Sequence, residues 1–316
     1  MKIVVRNLVK IFKVGSIFSL KKLTAVDNVS FDILPGEIFS LVGESGCGKT
    51  TTAKILLGLE EPTAGEIFYD ETPLEDFIRD KKEFLKKVQL IQQNPFSTFN
   101  PFRKIEDYLF KTVLRFGIAD SREKAEKIID ERLSIVGMSF GEVRDRYPNE
   151  FSGGQLQRIS IARALLTNPS FLVADEPVSM VDASLRISIV NLFKDLRERF
   201  GISVLYITHD LSTTYYVADR IAVMFRGNIV EMGNTQEVLD NPLHPYTVLL
   251  KVSVPIPNPE TSWDERVDLS TLEREEYFTK GCKFAGRCPH VKEICKRLQP
   301  PDIECGGRTV KCWLYK

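Results

Sequence analysis

The chain lacks an excess of either charge: 43 basic and 43 acidic residues cancel among its 316. No global field therefore draws it to nucleic acid or to an anionic membrane. It also lacks any uninterrupted apolar run approaching the roughly eighteen residues of a membrane helix. The opening MKIVVRNLVK has no long apolar region of the secretory kind. These absences lead us to expect a cytosolic polypeptide that does not itself cross a bilayer. Internal repeats and low-complexity segments are missing too, which excludes solenoid and fibrous architectures. Cysteine is scarce and uneven, with six in all and five of them between 282 and 312. None of their gaps is the C-x₂-C of common zinc modules. Otherwise the composition, 43% hydrophobic and 27% charged, is that of a globular protein, and the length allows two domains.

What is present is concentrated in short motifs. Residues Gly43 to Thr50 read GESGCGKT, a G-x-x-x-x-G-K-[ST] match. Such a loop sets the backbone N–H groups of Gly43, Glu44, Ser45, Gly46, Cys47 and Gly48 around a phosphate chain. Lys49 then reaches the β/γ-phosphates and Thr50 a magnesium ion, with Thr51 following in the helix. The context fits. Glu37 to Val42 is apolar enough for a buried strand and Thr51 to Leu57 has helical character, so the loop joins strand to helix. A nucleoside triphosphate site is expected.

The loop alone leaves GTPases, helicases, small-molecule kinases and transport ATPases open. No NKxD guanine-recognition motif is present, which counts against a GTPase. Phe151 to Gln155 read FSGGQ, Gln93 lies in IQQNP, and an apolar run from Phe171 ends in Asp175 and Glu176. Ser179-Met-Val-Asp182 and His209 in YITHD follow. With these motifs in this order, residues 1 to about 245 resemble the ATP-binding cassette (ABC) proteins. Ser152, Gly153, Gly154 and Gln155 match the signature, Gln93 the Q-loop, and Asp175-Glu176 the Walker B carboxylates. Ser179 to Asp182 match the D-loop and His209 the switch histidine. The fold class implied is α/β: a P-loop NTPase with a RecA-like core, an antiparallel β subdomain and an inserted α-helical subdomain over about 95–165.

The local reading agrees with that plan. Two or three antiparallel strands are expected before the loop, and a strand over Val88 to Gln92 that delivers Gln93. Charge-rich helical runs without β-rich stretches fill 105–150. Ser152 sits where an N-cap belongs, ahead of a helix over Gln155 to Leu166, so the signature offers an anion site at a helix start. Strands over 171–175 and 203–208 alternate with a helix from Ala183 to Phe200. Val223 to Met232 reads as a hairpin around Arg226-Gly227-Asn228. Asn241 to Tyr246 is a Pro-punctuated boundary, with a Pro-rich linker over Val254 to Pro259 beyond it.

Hydrolysis of ATP needs positioning and charge neutralisation around the γ-phosphoryl group. By resemblance, Mg²⁺ is held by Thr50 and, directly or through water, by Gln93 and Asp175. Glu176 is the candidate for polarising the attacking water, the alternative being a surface acid after a strand. His209 contacts the γ-phosphate in the family. An aromatic residue of the early β region stacks on adenine there, and Phe12 is the best match. Phe18 is a rival, and plain packing of Phe12 is the other alternative. Two cassettes close head to tail in the family, so Ser152 to Gln155 are expected to serve the partner's nucleotide. Met180-Val181 depart from the commoner D-loop residues, which points to altered interdomain contacts. Cys47 stands where many relatives have serine, and a buried small residue is expected.

The tail, NPLHPYT followed by GCKFAGRCPHVKEIC and a final cysteine, resembles the C-terminal extension of dipeptide/oligopeptide importer ATPases. Residues 246–316 are therefore read as a small Cys-rich extension. A disulfide framework fits poorly with a reducing compartment, and clustered thiols suit a soft metal. The resemblance implies a [4Fe–4S] cluster on Cys282, Cys288, Cys295 and Cys312, with zinc or no metal as alternatives and Cys305 outside the set. It also implies two transmembrane permease subunits, a second ABC ATPase (copy or paralogue), an extracytoplasmic solute-binding protein and no nucleic acid. The expected place is the cytoplasmic face of the membrane, peripherally bound. The P-x-P run after HPYT slightly favours the class that pairs with a paralogue. The rival reading is a soluble ABC ATPase of translation or DNA repair; one cassette without a long coiled-coil insertion argues against it.

Overall fold

Strand β3 (Ile38–Val42), which leads into the phosphate loop, is buried at every residue and lies in the interior of an eight-stranded sheet. The computed structural model describes residues 1–14, 21–253 and 276–316; Phe18 and the Pro-rich linker fall outside them. Before β3 run β1 (Ile3–Val14) and β2 (Lys21–Ile33), antiparallel to each other. With β4 (Ala64–Tyr69) and β5 (Thr72–Pro73) they form a four-stranded sheet in the order β2-β1-β4-β5. Phe31 stacks on Phe39 of β3 with centroids 5.2 Å apart, fastening the smaller sheet over the loop strand.

The larger sheet continues with β6 (Val88–Ile91), β7 (Phe171–Asp175), β8 (Ser203–Thr208), β9 (Arg220–Phe225) and β10 (Asn228–Asn234). Strands β6, β7, β8, β3 and β9 are mutually parallel. Being covered on both faces, such strands read as continuous apolar runs, as in SVLYIT and FLVA. The β9–β10 hairpin turns on Arg226 and Gly227, both at positive φ, which suits the twist of a two-residue turn.

Helices Ile105–Phe116, Arg122–Ile135 and Gly153–Leu165 pack as one lobe. Their inward side chains, among them Leu109, Val113, Ile129, Leu133 and Ile159, share one core with Leu172, Val204 and Tyr206 of the sheet. At about 1.5–3 kcal/mol per buried side chain, this continuous core ties the lobe firmly to the strands that carry the site.

The sheet does not stop at β10. Strands β11 (Ile303–Cys305) and β12 (Arg308–Val310) add to it, with Val310 opposite Glu231 and Thr309 opposite Met232. An antiparallel edge with free N–H and C=O groups invites such pairing. Strands of three residues are too short to declare a period in sequence, and the reading of 246–316 as a small Cys-rich extension assigned no secondary structure there. Phe284 packs against Phe225 and Tyr246 with centroids 5.4 and 5.5 Å away, seating the extension on the core.

Candidate ATP site and cysteine cavity

The chemistry-bearing residues meet at the carboxyl ends of the parallel strands, where open α/β sheets bind ligands. The phosphate loop follows β3, Gln93 follows β6, Asp175 ends β7 and His209 follows β8. Gly48 starts the helix Lys49–Leu56 at φ 114, and a Cβ there would stand 2.4 Å from the Ala25 carbonyl oxygen. Only glycine meets both demands. Lys49 is buried, and its ammonium donates to the carbonyls of Gly43 and Glu44 at 2.7 and 2.8 Å, bracing the loop. Ser45 and Gly46 are exposed at the loop's crest, Cys47 is fully buried, and Thr51 lies half-buried in the first helical turn.

Asp175 has its carboxyl pushed up chiefly by burial, with the neighbouring Glu176 charge adding to the rise; a hydrogen bond from the Thr50 hydroxyl and the charge of Lys49 oppose it. Two oxygen donors in contact, one an anion short of cationic compensation, fit a magnesium ion.

Glu176 is the centre of a short polar chain. One carboxylate oxygen accepts the Gln93 amide at 2.7 Å, and the other lies 3.0 Å from His209 Nδ1. Gln93 thus bonds Glu176, whereas its expected role was beside Thr50 and Asp175. The Glu176 backbone has φ 46, a left-handed conformation that a non-glycine residue adopts at a cost. Its N–H is tied to the Ile207 carbonyl at 2.8 Å, and its carbonyl accepts the Ser179 N–H at 3.2 Å and hydroxyl at 3.0 Å. Ser179 of the D-loop therefore fixes the Glu176 backbone, while Gln93 and His209 hold its carboxylate.

At the signature, Ser152 caps the helix Gly153–Leu165. Its hydroxyl accepts the Gln155 N–H at 3.3 Å, and the Gln155 side-chain oxygen accepts the Ser152 N–H at 3.0 Å. This capping box is written in the sequence as S-x-x-Q, a signal beyond the N-cap position of Ser152 alone. A Cβ on Gly153 would lie 2.7 Å from the Met180 carbonyl oxygen, and one on Gly154 would lie 3.0 Å from Leu185 and 3.5 Å from Val181. Met180 and Val181 thus lie beneath the signature of their own chain. Ser152 and Gln155 remain exposed. Phe12 is half-buried on β1, where its ring carries the Lys10 ammonium 5.0 Å from its centroid.

Cys282, Cys288, Cys295 and Cys312 line one small cavity with His244, Phe284 and Trp313; Cys305 is not among its walls. The Lys292 N–H reaches the Cys295 sulfur at 3.4 Å, and the backbone amides of Phe284, His290 and Leu314 counter part of the rise that burial imposes on Cys282, Cys288 and Cys312. Burial pushes Cys282 up to about 11, and the other three sulfurs add to the rise. Among the described residues, however, no three His, Cys, Asp or Glu side chains are placed to hold a metal ion. The tail also reaches the phosphate loop through Arg287, Tyr277 and Tyr246, contacts that no motif announced.

Fold and site together define the chain as an ATP-binding cassette ATPase. The family model described as ABC transporter matches residues 26–179, and that of the oligopeptide/dipeptide transporter C-terminal region matches residues 230–295. The chain is 39% identical to the oligopeptide transport ATP-binding protein AppF of Bacillus subtilis, covering 98% of this chain and 96% of AppF. It is 38% identical to the dipeptide transport ATP-binding protein DppF of Haemophilus influenzae, covering 95% and 92%. Among solved structures, the post-hydrolysis dimer of the cassette MJ0796 with ADP and phosphate is 29% identical at a TM-score of 0.65. That match covers 74% of this chain and 98% of the other. The chain belongs to the family of oligopeptide/dipeptide transport ATP-binding proteins.

Proposed function

We propose that this ATPase drives binding-protein-dependent import of peptides through two transmembrane permease subunits. The observation that carries the reading is the pairing of a complete ATP-site constellation with an oligopeptide/dipeptide-type C-terminal region in one chain. Residues 1–245 form the cassette, with its helical subdomain over about 95–165, and residues 246–316 the extension. Among the described residues no helix is long and apolar enough to cross a membrane. The chain works at the cytoplasmic face, held by the permeases. Phe96 and Phe102, 47% and 87% exposed just after Gln93, offer aromatic surface for that docking.

The loop from Gly43 to Thr51 cradles the triphosphate and Phe12 receives the adenine. Thr50 and Asp175, with Gln93 nearby, hold Mg²⁺, which neutralises charge on the β- and γ-phosphates. Glu176, aligned by Gln93 and His209, polarises the attacking water. Ser152 to Gln155, with Ser152 and Gln155 exposed at the capped helix start, close on the nucleotide of a second ATPase, either a copy or a paralogue. Cargo arrives through an extracytoplasmic solute-binding protein.

The four cavity thiols bind a [4Fe–4S] cluster. Support comes from the gathering of the four thiols around one cavity and from nearby backbone amides that favour thiolates once a cation offsets their mutual repulsion. Purifying the tagged chain in mild detergent from its own cells tests the transport reading. Two polytopic membrane proteins and a solute-binding protein are the expected companions; ribosomal or DNA-repair partners without membrane proteins would overturn it.

A further inference from the structure

The extension is bonded to the phosphate loop by contacts that the ATP-site motifs do not require. Arg287, in the segment between Cys282 and Cys288, sends parallel N–H bonds to both carboxylate oxygens of Glu44, each 3.1 Å long. Glu44 is the second residue of GESGCGKT. The guanidinium is fixed from behind, because its Nε donates to Glu276 at 2.7 Å. It also lies 4.9 Å from the Phe225 centroid and 5.5 Å from that of Phe284. Glu276 is buried and takes the Arg226 Nε at 2.8 Å as well. Two hydroxyls add to the contact: Tyr246 accepts the Glu44 N–H at 3.0 Å, and Tyr277 donates to the Gly46 carbonyl. The Arg226 guanidinium lies farther off, 3.7 Å from a Glu44 oxygen, and without the fork geometry.

A carboxylate inside a phosphate-binding loop is an anion placed where an anion must bind. Unpaired, Glu44 would repel the triphosphate and would be free to drag the loop's amides out of line. A planar, bidentate, ring-backed guanidinium neutralises that charge and fixes its direction. We propose that Arg287 is a positioning residue of the nucleotide site. Acting through Glu44, and assisted by Tyr277 at Gly46, it makes the Cys-rich extension a determinant of ATP affinity.

The full-length chain tests this with MgATP binding by calorimetry and with steady-state hydrolysis. Arg287→Ala should weaken ATP binding at least about fivefold and raise KM more than it lowers kcat. Arg287→Lys, which keeps charge but not the fork, should recover part of the loss. On a Glu44→Gln background the Arg287→Ala change should cost much less, because the anion it answers is gone. Tyr277→Phe removes one hydroxyl only and should raise KM by a smaller factor; it carries the test if Arg287→Ala does not fold. The proposal is overturned if the melting temperature drops while ATP affinity and KM stay within about twofold, or if Arg287→Ala costs the same factor on both backgrounds. The inference rests on residues 43–50 being the ATP site. Failure of the unaltered chain to bind ATP would sink that reading, whereas normal binding by the Arg287 and Tyr277 variants would sink this one alone.

Discussion

Glu176 and His209 stand 3.0 Å apart, imidazole Nδ1 to carboxylate, at the carboxyl ends of adjacent strands β7 and β8. Gln93 holds the other carboxylate oxygen from β6, so three neighbouring strands converge on one acid. Removing the charge at Glu176 should therefore stop chemistry and spare binding. Glu176→Gln is expected to lower phosphate release at least about 100-fold while ATP stays bound. Phosphate-release kinetics beside a nucleotide-retention assay decide it; substantial turnover would remove Glu176 from its role.

Gly153 separates assembly from binding. A methyl group there meets the Met180 carbonyl at 2.7 Å, so Gly153→Ala must push the signature and the D-loop apart. The phosphate loop of the same chain is untouched by that clash. ATP binding by the isolated chain should persist, with a stability loss of about 1–2 kcal/mol, while hydrolysis in the assembled pair collapses. Calorimetry on the single chain and turnover in the assembly give the two readouts.

His244 supplies a pH dependence. It is 1% exposed, burial pushes its imidazole down to about 3, and its Nδ1 accepts the Tyr246 N–H at 3.0 Å. The folded ring stays neutral, whereas the unfolded chain gains a proton below about pH 6.5. His244 therefore costs no stability above that value and takes stability away as the pH falls toward 3. Between about pH 7.5 and 5.5 the loss is about 1.4 kcal/mol. His244→Asn keeps an acceptor at the helix start and cannot titrate, so urea unfolding at the two pH values should differ less by that amount.

The five cysteines of the extension divide into four and one. Anaerobic reconstitution should yield about four irons per chain with matching sulfide. Cys288→Ser should lose most of that iron and its visible absorbance, and Cys305→Ser should keep both. Equal retention by the two variants would dissolve the proposed ligand set.

The sequence announced the parts of the fold whose signals are local. GESGCGKT, the apolar runs of β3, β7 and β8, and the Arg226-Gly227 turn all emerge where their residues place them. Contacts between distant residues were not legible. Nothing near Cys288 signals that Arg287 will meet Glu44, 243 positions earlier. The bond from Gln93 to Glu176 likewise depends on strands β6 and β7 lying side by side. The β11–β12 hairpin was hidden by its shortness, although Gly306-Gly307 is a hairpin-turn pair that could have exposed it.

The most direct test of the whole account is peptide uptake into proteoliposomes holding the purified assembly, with ATP supplied on the side of this chain. Uptake should require ATP in the unaltered assembly and vanish when Glu176→Gln replaces it, although nucleotide still binds. Uptake that continues unchanged with the Glu176→Gln chain would contradict the claim that hydrolysis here powers import.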